Sequence, residues 1–364
     1  RARTRFLCKE GMNPFPGAPM RLQDFDFPLP EALIAQTPLP DRDGSRLMVV
    51  HRATGTVACR TFPDVAEHFG PGDLLVLNES KVIPARLIAR KESGGAVEIL
   101  LLRRISGSVD PCEWEVLLRP GKRVREGTRL YFTGRPRAEV ISRVSPKCWV
   151  LRFDTGEPFE RFLDREGQAP LPPYIRRTGK EGLRGLDLER YQTVYARVAG
   201  SVAAPTAGLH FTERTLGEIG RRGAETARIT LHVGLGTFQP VETETVEEHR
   251  MEPESFEMTE ETLERLREAR RVTAVGTTST RVIETVFRDP GGPRSLRGST
   301  GLYIYPGFPF RRVDRLLTNF HLPRSSLFLL VCAFAGRELM LRAYGRAVEE
   351  GFRFYSYGDA MLIL

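Results

Sequence analysis

The sequence predicts an α/β fold: a large α/β domain with helices on the faces of a sheet, and a small antiparallel β-barrel inserted into it. Two sequence patterns along the chain lead to this prediction. From Pro170 onward, strand-like apolar runs alternate with amphipathic helical segments, which is typical of a sheet covered by helices. Between residues 81 and 154 the runs are short and strand-like. We therefore expect an α/β catalytic domain from residues 20–80 and 155–364, and a barrel domain from residues 81–154.

The first part of the α/β domain mixes short strands with one helix. Residues 47–50 are strand-like, residues 62–69 are amphipathic, and a Pro-Gly-Asp turn leads into a continuous apolar strand at residues 74–77. Met20 precedes the first patterned segment. Residues 1–19 hold four basic residues but no apolar core typical of a secretory signal, and we expect them to be a disordered N-terminal extension.

Short apolar runs make up the predicted barrel. They are residues 97–102, 114–118, 130–132, 138–144 and 148–153, and Gly-containing turns separate them. Residues 81–154 also hold 16 lysines and arginines against 8 aspartates and glutamates, a net charge of +8 that equals the charge of the whole chain. A basic barrel is suited to bind RNA backbone, and a solvated basic surface is the alternative.

Strands and helices alternate in the rest of the chain. Residues 227–233, 272–276 and 302–305 are strand-like, and a further helix is expected from about Thr280. The pattern also predicts helices at residues 259–271 and 339–349, and Gly351 ends the second of these. The apolar run Ser326–Ala335 is expected to begin a buried helix.

Composition excludes several classes of protein. Hydrophobic residues make up 41% of the 364 residues, which is enough for a packed core. The five cysteines are far apart and contain no CxxC pair, which argues against a zinc site or a disulfide scaffold and favours a reducing cytoplasm. The longest apolar run is too short to cross a bilayer. We therefore expect a cytoplasmic, soluble protein with neither a membrane nor a metal as partner.

Four of the six histidines lie in loop-forming segments rich in Gly, Thr and Pro, each beside a strand or helix. They are His210, His232, His249 and His321. In open α/β sheets such junctions form the ligand crevice. Each histidine alone is explained as well by a structural role, but together they indicate a shared site. We expect His210, His232 and His321 to line one pocket, with at least one acting as a general base or acid.

Two further segments are candidates for substrate binding. Residues 275–281 end a strand and open a helix, so that Thr and Ser could cap a helix N-terminus whose free N–H groups hold an anion; plain capping is the alternative. Tyr303 and Tyr305 are suited to stack on adenine or face a sulfonium, with a place in the core as the alternative. The expected substrate-binding residues are Thr206, Gly208, Gly234, Gly236, Thr237, Phe238, Thr277, Thr278, Ser279, Tyr303, Tyr305 and Asn319. The expected RNA-binding residues are Arg86, Arg119, Lys122, Arg123, Arg125 and Arg176.

A resemblance to a known family rests on co-linear segments between Met20 and Leu364. They are Asp41-Arg-Asp-Gly-Ser-Arg-Leu47, Pro71-Gly-Asp73, Val82-Ile-Pro-Ala-Arg86, Leu118-Arg-Pro-Gly-Lys122, Pro170-Leu-Pro-Pro-Tyr-Ile175, Arg190-Tyr-Gln-Thr-Val-Tyr195, Ala203-Ala-Pro-Thr-Ala-Gly-Leu-His-Phe-Thr212, Thr230-Leu-His-Val-Gly-Leu-Gly-Thr-Phe238, Gly276-Thr-Thr-Ser279, Leu317-Thr-Asn-Phe-His-Leu-Pro323 and Ser356-Tyr-Gly-Asp-Ala-Met-Leu-Ile-Leu364. The sequence resembles the S-adenosylmethionine:tRNA ribosyltransferase-isomerases of the queuosine pathway. It departs from the family at Asn78-Glu-Ser-Lys81 and Gln168-Ala169, both outside the histidine-bearing loops.

The resemblance implies an α/β domain with an inserted barrel, and it implies the reaction. The ribosyl group of S-adenosylmethionine, a co-substrate, is transferred to the 7-aminomethyl-7-deazaguanine base at the wobble position of a tRNA with a GUN-type anticodon. It is rearranged to an epoxycyclopentane, so that adenine and methionine leave and epoxyqueuosine-tRNA forms. No metal or redox cofactor is implied. A sulfonium acidifies the neighbouring C5′ protons, and histidine is a natural base for removing one.

Two other classes of function stay open at this stage. A non-catalytic tRNA-binding protein would explain the basic barrel but leaves the histidine-bearing loops without a purpose. An S-adenosylmethionine-dependent tRNA methyltransferase would release S-adenosylhomocysteine instead of adenine and methionine. The products formed from S-adenosylmethionine therefore distinguish the three hypotheses.

Overall fold

The computed structural model describes residues 19–107, 110–122, 124–132, 137–177, 181–234, 240–289 and 295–364. Apart from Pro19, the expected N-terminal extension lies outside these residues. The strands in chain order are β1 (Arg46–His51), β2 (Thr56–Thr61), β3 (Asp73–Asn78), β4 (Ser80–Val82), β5 (Arg86–Lys91), β6 (Ala96–Ser106), β7 (Cys112–Arg119), β8 (Arg129–Tyr131), β9 (Arg137–Arg143), β10 (Cys148–Asp154), β11 (Val198–Ser201), β12 (Glu225–Leu231), β13 (Glu254–Met258), β14 (Arg271–Val275), β15 (Arg297–Thr300), β16 (Arg315–Asn319) and β17 (Ala360–Ile363). The α-helices are α1 (Phe159–Glu166), α2 (Arg184–Arg190), α3 (Glu213–Arg221), α4 (Glu260–Glu268), α5 (Gly276–Val286), α6 (Ser326–Ala335) and α7 (Arg337–Glu349).

Nine of the described strands form one mixed sheet in the order β15-β13-β12-β3-β14-β16-β17-β1-β2. Its centre is parallel: β12, β3, β14 and β16 are successive parallel neighbours. The strands β13 and β17, which border this centre, run antiparallel to it. The four parallel strands therefore share one carboxyl edge, where they end at Leu231, Asn78, Val275 and Asn319.

Both faces of the sheet are covered, as its apolar central strands require. Side chains alternate between the faces, so that Leu74 and Val76 of β3 pack on one side while Leu75 and Leu77 pack on the other. Apolar residues of α4, α5, α6 and α7 cover the first face. The second face packs against α3 and a 3₁₀ helix, Phe62–His68.

The barrel is a closed ring of antiparallel strands in the order β10-β7-β6-β5-β8-β9, beginning at Arg86 and ending at Asp154. Burial alternates along β7, so every second side chain fills the interior, and Phe159 and Phe162 of α1 join the same core. The predicted α/β fold with a small barrel is confirmed. The domain boundaries at residues 81 and 154 stay a prediction.

Two local predictions at the carboxyl edge are wrong. Residues 302–305 are not a strand, because the carbonyl oxygens of Thr300 and Leu302 accept hydrogen bonds from the guanidinium of Arg281 rather than from a neighbouring strand. The helix expected from about Thr280 begins at Gly276 instead, and its N-cap is Val275, which supplies no side-chain cap. Thr and Ser in this segment therefore lie inside the first turn and do not cap it.

No helix among the described residues combines the length and the apolar character that crossing a membrane requires.

Candidate active site

The predicted site segments meet at the carboxyl edge of the parallel strands. His232 directly follows β12, residues 277–279 follow β14, and Asn319 ends β16. A 3₁₀ helix, Thr206–His210, lies against the same edge and contacts both β16 and α5. In open α/β sheets this edge is where ligands bind, because loops from several strands converge there.

His210 is held rigidly in the buried part of this edge. The amide oxygen of Asn319 accepts a hydrogen bond from Thr206 at 2.8 Å, and its amide nitrogen lies 3.0 Å from His210 Nε2. Because an amide nitrogen only donates, this network assigns the imidazole proton to Nδ1, which lies 2.8 Å from Ser45 Oγ. Burial, followed by the charge of Arg353, lowers the pKa of His210 to about 4, so the ring is neutral at pH 7.

His321 is buried in the segment that directly follows β16. Its Nε2 lies 2.8 Å from Thr318 Oγ1, and its backbone N–H donates to the hydroxyl of Tyr344 at 3.2 Å. Burial lowers its pKa to about 3. These contacts hold a neutral ring in place, which is the arrangement of a histidine that supports the loop.

His232 differs from the other two because it is only half-buried and one ring nitrogen is unsatisfied. Its backbone N–H donates to the carbonyl of Ser255 at 3.0 Å. Its Nδ1 is buried without a hydrogen-bond partner among the described residues. Burial lowers the pKa of His232, while the carboxylate of Glu257 opposes the shift. A neutral imidazole that is only half-buried can accept a proton from a substrate placed against its exposed part.

Gly200 provides the space that His232 occupies. A Cβ atom at this position would lie 2.8 Å from Cε1 and 2.9 Å from Nδ1 of His232, closer than real contacts allow. The backbone of Gly200 also has φ of 143°, which residues with side chains rarely adopt. Glycine is therefore required here by both geometry and packing.

The first turn of α5 adds two unsatisfied hydroxyl groups. Thr277, Thr278 and Ser279 are buried, and Thr278 Oγ1 and Ser279 Oγ have no hydrogen-bond partner among the described residues. The free N–H groups of a helix N-terminus lie in the same turn. Together they offer donors to a polar or anionic group of a ligand.

A buried ion pair joins the site segments, and sequence reasoning missed it. Arg281 of α5 pairs with Glu254 of β13, and the two side chains are 4% and 5% exposed. Arg281 also donates to the carbonyls of Thr300 and Leu302, each at 3.0 Å. Glu254 accepts the N–H of Gly234 at 2.8 Å. The pair therefore fixes the segment after β12 against the segment after β15.

A cavity of about 320 Å³ lies beside the end of β15. Its lining includes Glu247, Arg250, Arg288, Tyr303 and Tyr305. The rings of Tyr303 and Tyr305 are 5.1 Å apart, and both the Tyr303 hydroxyl and Glu247 Oε2 are buried without a partner among the described residues. Burial, followed by the charges of Tyr305 and Glu247, raises the pKa of Tyr303 well above its usual value. The cavity thus combines aromatic faces with charges of both signs.

Gly208 is explained by packing. A Cβ atom there would lie 2.0 Å from the hydroxyl of Tyr195 and 2.8 Å from Thr193 Cγ2, so no side chain fits. The remaining members of the predicted substrate set, Gly236, Thr237 and Phe238, lie outside the described residues. The substrate roles of all these residues stay predictions.

The predicted tRNA-binding residues fall into two groups. Arg119, Lys122 and Arg125 are exposed at the end of β7 and the turn after it, and Arg123 of this turn lies outside the described residues. Arg86 instead pairs with Glu98 at 3.1 Å, and Arg176 pairs with Glu31 at 2.6 Å. A guanidinium already neutralised by a carboxylate is a weaker partner for phosphate, so the first group is the better candidate.

Comparison with known proteins shows the family to which the chain is similar. The profile of the queuosine biosynthesis protein family matches residues 22–363. The chain is 50% identical over 361 residues to the S-adenosylmethionine:tRNA ribosyltransferase-isomerase of Syntrophus aciditrophicus, covering 95% of this chain and 100% of that relative. It is 51% identical over 350 residues to the enzyme of the same name from Carboxydothermus hydrogenoformans, again covering 95% of this chain and 100% of the relative.

A solved structure agrees with the family match and with the two relatives. The crystal structure of S-adenosylmethionine tRNA ribosyltransferase from Thermotoga maritima is 38% identical to this chain, covers 94% of it and 100% of its own chain, and has a TM-score of 0.53. The resemblance predicted from the sequence segments is thereby confirmed. The chain belongs to the queuosine biosynthesis protein family, whose members compared above are named S-adenosylmethionine:tRNA ribosyltransferase-isomerases or ribosyltransferases.

Proposed function

We propose that this enzyme transfers the ribosyl group of S-adenosylmethionine to the aminomethyl group of a 7-deazaguanine base in tRNA, at the carboxyl edge of the sheet. A new C–N bond forms to the base, the C–S bond to methionine and the glycosidic bond to adenine break, and the ribosyl carbons close to an epoxycyclopentane. Epoxyqueuosine-tRNA, adenine and methionine are the products. Family membership, together with the His232 environment at the strand ends, is the observation that supports this proposal.

His232 is the best candidate for the general base. A base that removes a C5′ proton beside the sulfonium must be neutral and have a free nitrogen lone pair. The lowered pKa of His232 meets the first condition, and because the residue is only half-buried, part of the ring is open to a substrate. His210 and His321 are bonded within the protein and fully buried, so we assign them to positioning: His210 holds Asn319, and His321 holds the turn after β16.

The cavity beside Tyr303 is the best candidate for the methionine end of S-adenosylmethionine. Aromatic faces attract a sulfonium, and the guanidinium groups of Arg250 and Arg288 suit the α-carboxylate. The unpartnered oxygen of Glu247 suits the α-ammonium group. Ser255 accepts the N–H of His232 and pairs with Ser299 in β15, so the cavity lies about two strand spacings, roughly 10 Å, from His232.

The barrel is the candidate surface for the tRNA backbone. Arg119, Lys122 and Arg125 carry exposed positive charge, and residues 81–154 hold a net charge of +8. Such a surface binds phosphates without reading sequence. Recognition of a GUN-type anticodon and a cytoplasmic location belong to the same proposal.

Product analysis tests the reaction. The protein, S-adenosylmethionine and a tRNA carrying the aminomethyl-deazaguanine base are incubated, and the small products are separated by chromatography. Equal amounts of adenine and methionine are expected, with none formed when the tRNA carries unmodified guanine at the same position. S-adenosylhomocysteine as the product would indicate a methyltransferase, and binding of tRNA without any product would indicate a non-catalytic protein.

A further inference from the structure

A second, narrow cavity of about 20 Å³ opens beside His210. It lies between the segment before β1, the end of α2 and the segment before β17. Its lining includes Arg42, Ser45, Arg190, His210 and Tyr357, together with the exposed Asp41. A space of this size admits one water-sized group, such as a single oxygen atom of a larger ligand.

Arginine side chains around this cavity are oriented by main-chain carbonyl groups. Arg42 donates to the carbonyl of Glu189 at 2.9 Å. Arg190 donates to the carbonyls of Pro40 and Leu39 at 2.9 and 2.8 Å. Arg353 lies outside the lining; its charge acts on His210, and it donates to the carbonyl of Thr37. Carbonyl groups fix the direction of a guanidinium but leave its positive charge uncompensated.

The same groups present buried donors with no acceptor. Arg42 Nη1, Arg190 Nε, Arg353 Nη1 and the Tyr357 hydroxyl are all buried without a hydrogen-bond partner among the described residues. An N–H of arginine only donates, and buried donors in native proteins are normally paired. Arg42, Arg190 and Tyr357 line the cavity itself, and three unpaired donors around one cavity indicate a ligand that brings acceptor oxygens.

Neighbouring carboxylates do not remove this excess of positive charge. Burial, followed by the charge of Arg190, lowers the pKa of Arg42, while Glu189 opposes the shift, and Asp359 acts on Arg353 through space. Asp41 lines the cavity, but its side chain is exposed to solvent, which screens its charge. Asp359 is already bonded to Arg46 at 3.3 Å. By contrast, the nearby Arg177 is neutralised by Asp187 through two hydrogen bonds of 2.8 Å.

We propose that Arg42, Arg190 and Tyr357 form a phosphate-binding site for the RNA substrate, which holds a backbone phosphate next to the reacting base. This inference rests on the proposed function. A non-bridging phosphate oxygen reaches into a narrow surface opening and accepts several hydrogen bonds at once, as the unpaired donors require. The site places RNA backbone on the α/β domain beside His210, apart from the barrel surface.

Binding of an RNA hairpin tests this assignment. The probe is the anticodon stem-loop carrying the aminomethyl-deazaguanine base, and its affinity for the full chain is measured by fluorescence anisotropy over a range of salt concentrations. Arg42→Gln and Arg190→Gln are each expected to weaken binding about tenfold and to lower the log–log salt slope by about one. The affinity for S-adenosylmethionine, measured by calorimetry, should not change.

The matched control is Arg221→Gln on α3, an exposed arginine paired with Glu218 at 2.7 Å, which should leave RNA binding unchanged. Thermal unfolding identifies variants that fail to fold, and Tyr357→Phe, which removes only a hydroxyl, then serves instead with an expected loss of several-fold. Hairpins with a neutral methylphosphonate at single positions locate the phosphate, because at one position the Arg42→Gln effect should disappear.

Two results would overturn the assignment. RNA affinity and salt slope unchanged in every folded variant would mean that no phosphate binds here. Weaker binding of S-adenosylmethionine with unchanged RNA binding would assign the site to the α-carboxylate of that substrate. Wild-type release of adenine and methionine, measured alongside, shows whether the proposed function itself stands.

Discussion

Replacing Glu254 by glutamine is expected to destabilise the protein strongly, because it leaves a buried guanidinium without its counter-charge. Glutamine keeps the shape of the side chain and still accepts the N–H of Gly234, which Glu254 holds at 2.8 Å. Arg281 keeps its bonds to the carbonyls of Thr300 and Leu302 but loses the carboxylate. Removing one partner of a buried ion pair costs about 3–5 kcal/mol, and we expect a loss in this range in the free energy of unfolding.

The assay is urea unfolding followed by circular dichroism, with a control pair whose carboxylate lies on the same strand, β13. Glu257 and Arg297 form an ion pair at 2.6 Å, but their side chains are 48% and 77% exposed. Glu257→Gln should therefore cost less than about 1 kcal/mol. The double variant Glu254→Gln with Arg281→Met removes both charges and should lose less stability than the sum of the losses measured for Glu254→Gln and Arg281→Met separately.

A loss below about 1 kcal/mol for Glu254→Gln, no larger than that for Glu257→Gln, would refute the reasoning, since it would mean that Arg281 is not isolated from water. Binding of S-adenosylmethionine should weaken in the folded fraction of Glu254→Gln. The reason is that the ion pair holds the segment after β12 against the residues that line the cavity beside Tyr303.

Three further predictions concern catalysis, pH and RNA binding. His232→Gln should lower turnover about a hundredfold or more, whereas His51→Gln should change it little; turnover of folded His232→Gln within a few-fold of wild type would exclude a base role. Burial lowers the pKa of His210 from 6.5 to about 4 and that of His321 from 6.5 to about 3. Below pH 6.5 the unfolded chain therefore binds protons at these two histidines that the folded protein does not bind. The free energy of unfolding should therefore fall by up to about 1.4 kcal/mol per pH unit per histidine as pH drops from 6.5 towards 4, and urea unfolding of His321→Gln should show a shallower slope than wild type. Reversing the charges of Lys122, Arg123 and Arg125 should weaken tRNA binding and lower the log–log salt slope by about one for each phosphate that the barrel no longer binds, and an unchanged slope would place the RNA elsewhere.

Sequence periodicity was sufficient where local pattern decides structure. Short apolar runs separated by Gly-containing turns predicted the barrel strands β7 and β10, and the apolar run Ser326–Ala335 forms α6 with the same bounds. The family followed from co-linear segments along the chain, because such segments are specific even when the role of each residue is unknown. The position of the helix after β14 was predicted less well, since Gly276 turns the chain through a positive φ that periodicity does not report.

Tertiary structure alone decided how the site is assembled. In the sheet β3 lies between β12 and β14, although more than a hundred residues of chain separate it from either one, so neighbours at the carboxyl edge are not neighbours in sequence. Residues 302–305 have the composition of a strand, yet the carbonyls of Thr300 and Leu302 accept hydrogen bonds from the guanidinium of Arg281. The unpaired donors around Arg42 likewise come from three distant segments. Composition and periodicity report the face on which a residue lies, whereas charge pairing and hydrogen-bond satisfaction depend on which segments fold against one another.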